Sequence, residues 1–358
     1  MSYAELAVTT NFTFLTGASH PEELVARAAE LGLAAIAITD RNSVAGVVRA
    51  HTALKEMRRE LGKATIRSTV QVDTCSHQPV GEWKTVGAAD RLLPKLIVGS
   101  RLVAEDCPVE WLALPTDRPA WHRLSRLLSR GKRRAAKGEC RLMLNDLLTG
   151  CRGLILIALP PTEPHRAIAP VQAMARRYPG RVFLGAAPRY DGSDQAWFDT
   201  CAALAHRVAA PMVAVGDVLM HRAARRRLAD VLTCLREGIS IDRIGSRALP
   251  NAERRLKSPA EMDRLFARHP AAIRRTTQIA SLCCFDLDQL GYDYPDEVAA
   301  DEAPQDRLVR LTREGLARRY PGGAPQRVHD LIDKELALVE ELKYAAYFLT
   351  VHDIVAEA

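Results

Sequence analysis

Hydrophobic and polar positions set out two kinds of element from the first residues onward. A short apolar run at 5–9 (ELAVT) passes through a turn at Thr16 and Gly17 into a stretch with Leu24, Ala28 and Leu31 at helical spacing. Gly32 closes that stretch, and Ser19, Pro21 and Glu22 predict its start, with a capping box from Ser19 to Glu22. A second apolar run follows at 34–39 (AAIAIT). Strand, helix, strand in this order predicts a parallel βαβ unit whose strand ends share one rim. In such units functional side chains gather at the carboxyl-end rim.

The pattern continues with a helix over 43–60 and then fades. Residues 61–91 are polar and lack a sustained period, which predicts a surface excursion with a short strand near 67–72. Further strands are expected at 95–103, 110–114, 153–159, 181–187 and 211–216, with helices at 163–178 and 193–208 between the later ones. From Trp121 a basic helix carries Leu124, Leu127 and Leu128 on one face. Repeated strand–helix alternation fits either a parallel barrel or a doubly wound sheet, and the pattern alone does not choose. After Val218 the strands are expected to stop, with helices at 225–242, 251–270 and 271–287. An acid- and tyrosine-rich linker and a helical tail complete the chain.

Composition narrows the classes. Apolar residues make up 47% of the 358 residues and support a real core, while 26% charged residues are ordinary for a soluble protein. There is no apolar run long enough for a membrane span and no signal-peptide pattern, so a cytoplasmic location is expected. The formal charge of +7 favours an acidic partner such as nucleic acid. Arg123, Arg126, Arg130, Lys132, Arg133, Arg134 and Lys137 form the densest positive run and are the candidate DNA-binding residues. The same run also reads as a solvated helix face. None of the eight cysteines forms C-x-x-C, which predicts reduced, mostly buried thiols and no zinc knuckle.

Three runs carry a family resemblance: NFTFLTGASHPEELV at 11–25, GKRRAAKGEC at 131–140 and YFLTVHDIV at 347–355. Together they resemble the PHP (polymerase and histidinol phosphatase) domain of bacterial C-family, DNA polymerase III alpha-like polymerases, in the error-prone, translesion branch. That resemblance implies a distorted (β/α)7 barrel similar to a TIM barrel, followed by an all-helical segment. It divides the chain into a PHP domain at 1–288, with 61–91 diverged or inserted, a linker at 289–304 and the start of a polymerase module at 305–358.

A metal-dependent PHP phosphoesterase needs histidines and carboxylates around the barrel mouth. Its His-x-His on the first strand matches Ala7 and Thr9 here, and neither is a good ligand. The family's Thr-Asp-His reads Thr39-Asp40-Arg41, and a cation, Arg101, stands at the glutamate position. The late Asp-Val-His reads Asp217-Val218-Leu219. Only Asp40 and Asp217 remain, beside arginines whose permanent charge repels a metal. The expectation is a metal-free, catalytically silent scaffold in which these acids and arginines form a salt-bridge cluster. His20, His51 and His221 are read as helix-end or surface histidines.

The polymerase itself is implied to use two Mg2+ ions on palm aspartates. Those aspartates match nothing in this chain, which is expected to be part of a larger enzyme and to hold no cofactor of its own. DNA, the sliding clamp and companion translesion proteins are the partners the resemblance implies, and no membrane. Two other readings stay open: a free-standing metal-dependent PHP phosphoesterase or 3′-5′ exonuclease, and a non-enzymatic DNA-binding module built on the 123–137 cations.

Overall fold

The computed structural model describes residues 2–70, 93–291 and 302–357. They fall into two compact units, residues 1–289 and 290–358. In the first, eight strands form two sheets. β1 (Ala4–Val8), β2 (Ala35–Ile38) and β3 (Lys95–Val98) run parallel in the order β1-β2-β3. β4 (Ser100–Leu102), β5 (Glu110–Pro115), β6 (Leu154–Leu159), β7 (Val182–Ala186) and β8 (Met212–Ala214) follow in sequence order, with β5 antiparallel to both neighbours.

Two seams join the sheets. β3 and β4 are halves of one stave broken at Gly99, where a Cβ would stand 2.6 Å from the Leu114 side chain. Beyond β2, Arg41 pairs with Arg101, and the Asn42 amide donates to the Arg101 carbonyl at 2.8 Å. On the other side Val218 pairs with Val8, donating to the Ala7 carbonyl at 2.8 Å and accepting from the Thr9 amide at 2.9 Å. Counting β3 and β4 as one, the result is a closed barrel of seven staves, the (β/α)7 class expected.

Period-two patterning explains how the sheet fills on both faces. Ala35 and Ala37 point to the barrel interior with Leu6, Ile97, Leu112, Ile155, Ile157 and Val213, whereas Ile36 and Ile38 point outward into the helix layer. The outer layer includes α1 (Pro21–Glu30), α2 (Ala45–Val70), α3 (Arg118–Arg133), α4 (Leu144–Gly150), α5 (Ile168–Arg177) and α6 (Asp194–Arg207). After α7 (Arg226–Glu237) and α8 (Pro259–Leu265), α9 (Pro270–Leu282) closes one end of the barrel. Thr276, Ala280 and Arg275 of α9 bond Ala4, Lys95 and Met212, the first residues of three strands. The floor is therefore at the amino ends of the parallel strands and the open mouth at their carboxyl ends, while antiparallel β5 runs the other way and puts its first residue, Glu110, at the mouth.

Several local expectations need correction. The cap of α1 sits one residue later than Ser19: His20 is the N-cap, its amide bonding Glu23 at 2.9 Å. Ser19 is drawn away because its hydroxyl accepts from the His221 amide at 2.9 Å. Residues 67–70, expected to open a strand, continue α2, and 71–72 lie outside the described residues, as does most of the 61–91 segment. Strand pairing does not stop at Val218, nor is 251–270 helical throughout. Met220 pairs with Arg255, and Leu256 donates to the Met220 carbonyl at 3.1 Å, so 251–257 is an irregular strap carrying arginines to the mouth.

The second unit consists of α10 (Pro304–Arg319), α11 (Gln326–Glu341) and α12 (Ala345–Glu357), so the described tail is helical. Within it, Arg307 of α10 donates to Asp353 of α12 at 3.2 Å.

Candidate functional site

The barrel mouth brings together most of the positions singled out in sequence. β1 carries Ala7, fully buried and packed in the interior, and Thr9 follows it, also buried. Asp40, at the end of β2, is fully buried and has its own polar cage. Its Oδ1 accepts from the Thr10 amide and the Thr13 hydroxyl, both at 2.8 Å, and its Oδ2 accepts from the Thr10 hydroxyl at 2.8 Å. Burial raises the Asp40 pKa, and these hydrogen bonds oppose the rise. Expected as a member of the arginine cluster, Asp40 instead meets neither Arg41 nor Arg101 through its carboxylate. The threonines nearby satisfy it first.

Asp217 is the acid that the arginines hold. It lies just past β8 with φ at +46°, a left-handed backbone that aspartate tolerates better than most residues. Arg101 of β4 and Arg254 of the strap each donate to one of its oxygens. Burial alone would raise its pKa, but the two guanidinium charges outweigh that and hold it at about 2. Arg101 also donates to Glu110 of β5 at 3.2 Å, and Arg41, mostly exposed, approaches the same carboxylate at 3.9 Å. Leu219 turns away from the mouth, packing with Ala18, Met220 and Ala229.

Arg254 and Glu110 were not legible as partners, because the strap and β5 meet only in three dimensions. A cleft of about 420 Å³ opens at this point, lined among others by Arg101, Glu110, Asp217, Arg189 and Trp197. The Arg189 guanidinium lies 3.5 Å from the Trp197 ring centre, a stacked cation–π contact. Glu5, fully buried in the seam, is a further acid the sequence did not flag. It accepts from the Gly216 and Ala7 amides at 3.0 Å and from the Tyr3 hydroxyl at 2.7 Å. Burial pushes its carboxyl up to about 7, against the pull of those bonds.

The remaining histidines lie elsewhere. His20 bonds Asn11 at 3.0 Å, and His221 bonds Ser19 at 2.8 Å. His51 of α2 meets Asp286 and Asp288, and their candidate ligand atoms lie within 4.8 Å of one another. Lys55 also holds Asp288, at 2.9 Å, in that group. On the barrel flank, Arg126, Lys132, Arg133 and Lys137 are exposed, Arg130 and Arg134 reach Asp146 at 3.7 and 2.7 Å, and Arg123 caps the Arg152 carbonyl at 3.1 Å. Among the described residues, no helix is long and apolar enough to cross a membrane.

Comparison with known proteins agrees with this architecture. Residues 5–157 match the PHP domain, and residues 306–358 match the bacterial DNA polymerase III alpha NTPase domain. The chain is 66% identical over 357 residues to an error-prone DNA polymerase of Ruegeria pomeroyi, covering 99% of this chain and 32% of that protein. It is 43% identical over 360 residues to an error-prone DNA polymerase of Rhodopseudomonas palustris, covering 100% of this chain and 30% of that protein. The chain thus spans about a third of the length of these relatives. A solved amidohydrolase from Chromobacterium violaceum aligns with 61% of this chain and 88% of its own at a TM-score of 0.40 and 13% identity. The chain thus carries a PHP domain followed by residues of the bacterial DNA polymerase III alpha NTPase domain, and over nearly its whole length it is similar to error-prone DNA polymerases.

Proposed function

We propose that this chain is the N-terminal PHP scaffold of an error-prone DNA polymerase acting in translesion synthesis and DNA repair, and that its barrel mouth binds no metal. The observation that carries the second statement is the clasp of Asp217 between Arg101 and Arg254. A divalent cation needs several free oxygen or imidazole donors converging on one point. Here Ala7 supplies no donor, Asp40 spends its oxygens on Thr10 and Thr13, and Asp217 would have to exchange two guanidiniums for the ion. The donor set does not fit a metal, so no phosphoesterase step is assigned to the mouth.

In the polymerase as a whole, nucleotidyl transfer would use Mg2+ held by aspartates of the polymerase module, with DNA as substrate. The sliding clamp and companion translesion proteins are the partners this reading implies. Metal analysis of desalted protein, with added Mn2+ or Zn2+ in a parallel sample, tests the scaffold. Retention well below one ion per chain is expected, with no metal-dependent release of phosphate from a phosphomonoester or DNA end. Stoichiometric metal that disappears in Asp217→Asn but persists in His51→Gln would overturn the reading.

A further inference from the structure

The charge of this chain is not spread over it. Residues 117–181 hold fourteen Lys and Arg against four Asp and Glu, a formal +10, so they alone exceed the +7 of the whole chain. These residues build α3, α4, β6 and α5, and the fold packs the three helices side by side on one flank of the barrel. Arg123 of α3 touches the Arg152 carbonyl beyond α4, and Arg177 of α5 bonds the Leu148 carbonyl of α4 at 3.2 Å. Cations distant in sequence thereby extend the run recognised on α3 alone.

The acids within and beside this segment neutralise only part of the flank: Glu163 approaches Arg166 at 3.9 Å, Glu105 holds Arg141 at 3.0 Å, and Glu139 is exposed. Asp117 is used as the N-cap of α3, accepting from the Ala120 amide at 2.8 Å. Asp146 is buried and takes Arg130 and Arg134. Arg126, Lys132, Arg133 and Lys137 are exposed and form no ion pair among the described residues. Holding so many like charges on one face costs folding energy by self-repulsion, which a polyanion laid along it would relieve. The apolar side of α3 is already used, with Leu124, Leu127 and Leu128 in the core, so the outer side is free to meet solvent or a partner.

We infer that the α3–α4–α5 flank is a binding track for the phosphate backbone of DNA. α3 has 16 residues and is ~24 Å long, enough to run beside about seven phosphates of a B-form strand. Guanidinium forks suit phosphate oxygens, and contacts to phosphate carry no sequence information, so recognition through these cations would be independent of sequence. The inference rests on the polymerase reading for its choice of DNA, but it concerns exposed cations that take no part in the Asp217 clasp and can fail separately.

The test is fluorescence anisotropy of labelled duplex and single-stranded DNA against the full chain between 50 and 200 mM salt. With about seven phosphate contacts, duplex affinity should fall about 10³-fold or more across that range. The quadruple variant R126Q/K132Q/R133Q/K137Q should fall only about 40-fold, and bind far more weakly at low salt. A control neutralising exposed cations elsewhere, R227Q/R243Q/R247Q/R274Q, should keep the wild-type slope. Equal slopes for the flank variant and the wild type, equal losses in both variants, or no DNA binding by the wild-type chain would each overturn the track. The metal stoichiometry of the mouth is untouched by any of these results.

Discussion

At the scale of the residue, two acids of the seam and mouth make opposite demands on pH. Glu5 titrates at about 7 in the folded chain because burial outweighs its hydrogen bonds. Its folded pKa lies above the ordinary 4.5, so folding takes up a proton in that window. Stability should therefore fall as pH rises from about 4.5 to about 7, by ~3 kcal/mol, and level off above. Glu5→Gln should flatten that part of a melting-temperature profile between pH 5 and 8. Asp217 has the reverse sign: held at about 2, it contributes stability present above the ordinary aspartate range and lost as pH falls toward 2. Asp217→Ala would leave Arg254, about a third exposed, without its acid and Arg101 with Glu110 alone, and a loss of about 3 kcal/mol is expected in denaturant unfolding. A loss within the range of ordinary surface substitutions would mean the clasp is not holding the mouth. The sequence pointed to Asp217 and Arg101 but not to Glu5, whose burial depends on a seam closed by Gly216 more than two hundred residues away.

At the scale of the element, the cage around Asp40 is built where α2 begins. A Cβ on Gly46 would lie 2.5 Å from Asp40 Oδ2 and 2.7 Å from Thr10 Oγ1. Helix propensity favours alanine over glycine by up to about 1 kcal/mol. Displacing a buried carboxylate from its donors costs about 1–3 kcal/mol for each group left unsatisfied. Gly46→Ala should therefore destabilise, by about 2 kcal/mol net, with an unchanged denaturant m-value. A gain in stability would show that the cage yields freely. Elements were read well where one periodicity ran unbroken, as in β2, β6 and α6. They were misread where tertiary bonds replaced a local rule. Ser19 looked like a helix cap, yet it serves His221, and 251–257 looked helical, yet its backbone pairs with Met220. The closing of seven staves was implied by family resemblance, since alternation of strands and helices fits an open sheet equally well.

At the scale of the whole molecule, the two units differ in how completely they cover their apolar surface. In the barrel, the helix layer and α9 cover the interior, and Leu6, Ile155 and Ile157 are wholly buried. In the helical unit, few side chains are buried, among them Val339, Ala345 and Leu349. Leu338, Leu342, Tyr344, Phe348, Ile354 and Val355 are 46–71% exposed. Large apolar side chains exposed in this number promote association in water. The full chain should then show a rise in weight-average mass with concentration by light scattering, steeper at higher salt, where charge repulsion is screened. A chain ending at Gln289 should stay monomeric while keeping the cooperative unfolding of the barrel, because the barrel's core clusters lie wholly within the first unit. Leu342→Glu with Ile354→Glu should reproduce that behaviour in the full-length chain. If the shortened chain associates just as strongly, the adhesive surface belongs to the barrel, and the exposed residues of α7, Leu228, Val231 and Leu235, become the next to substitute.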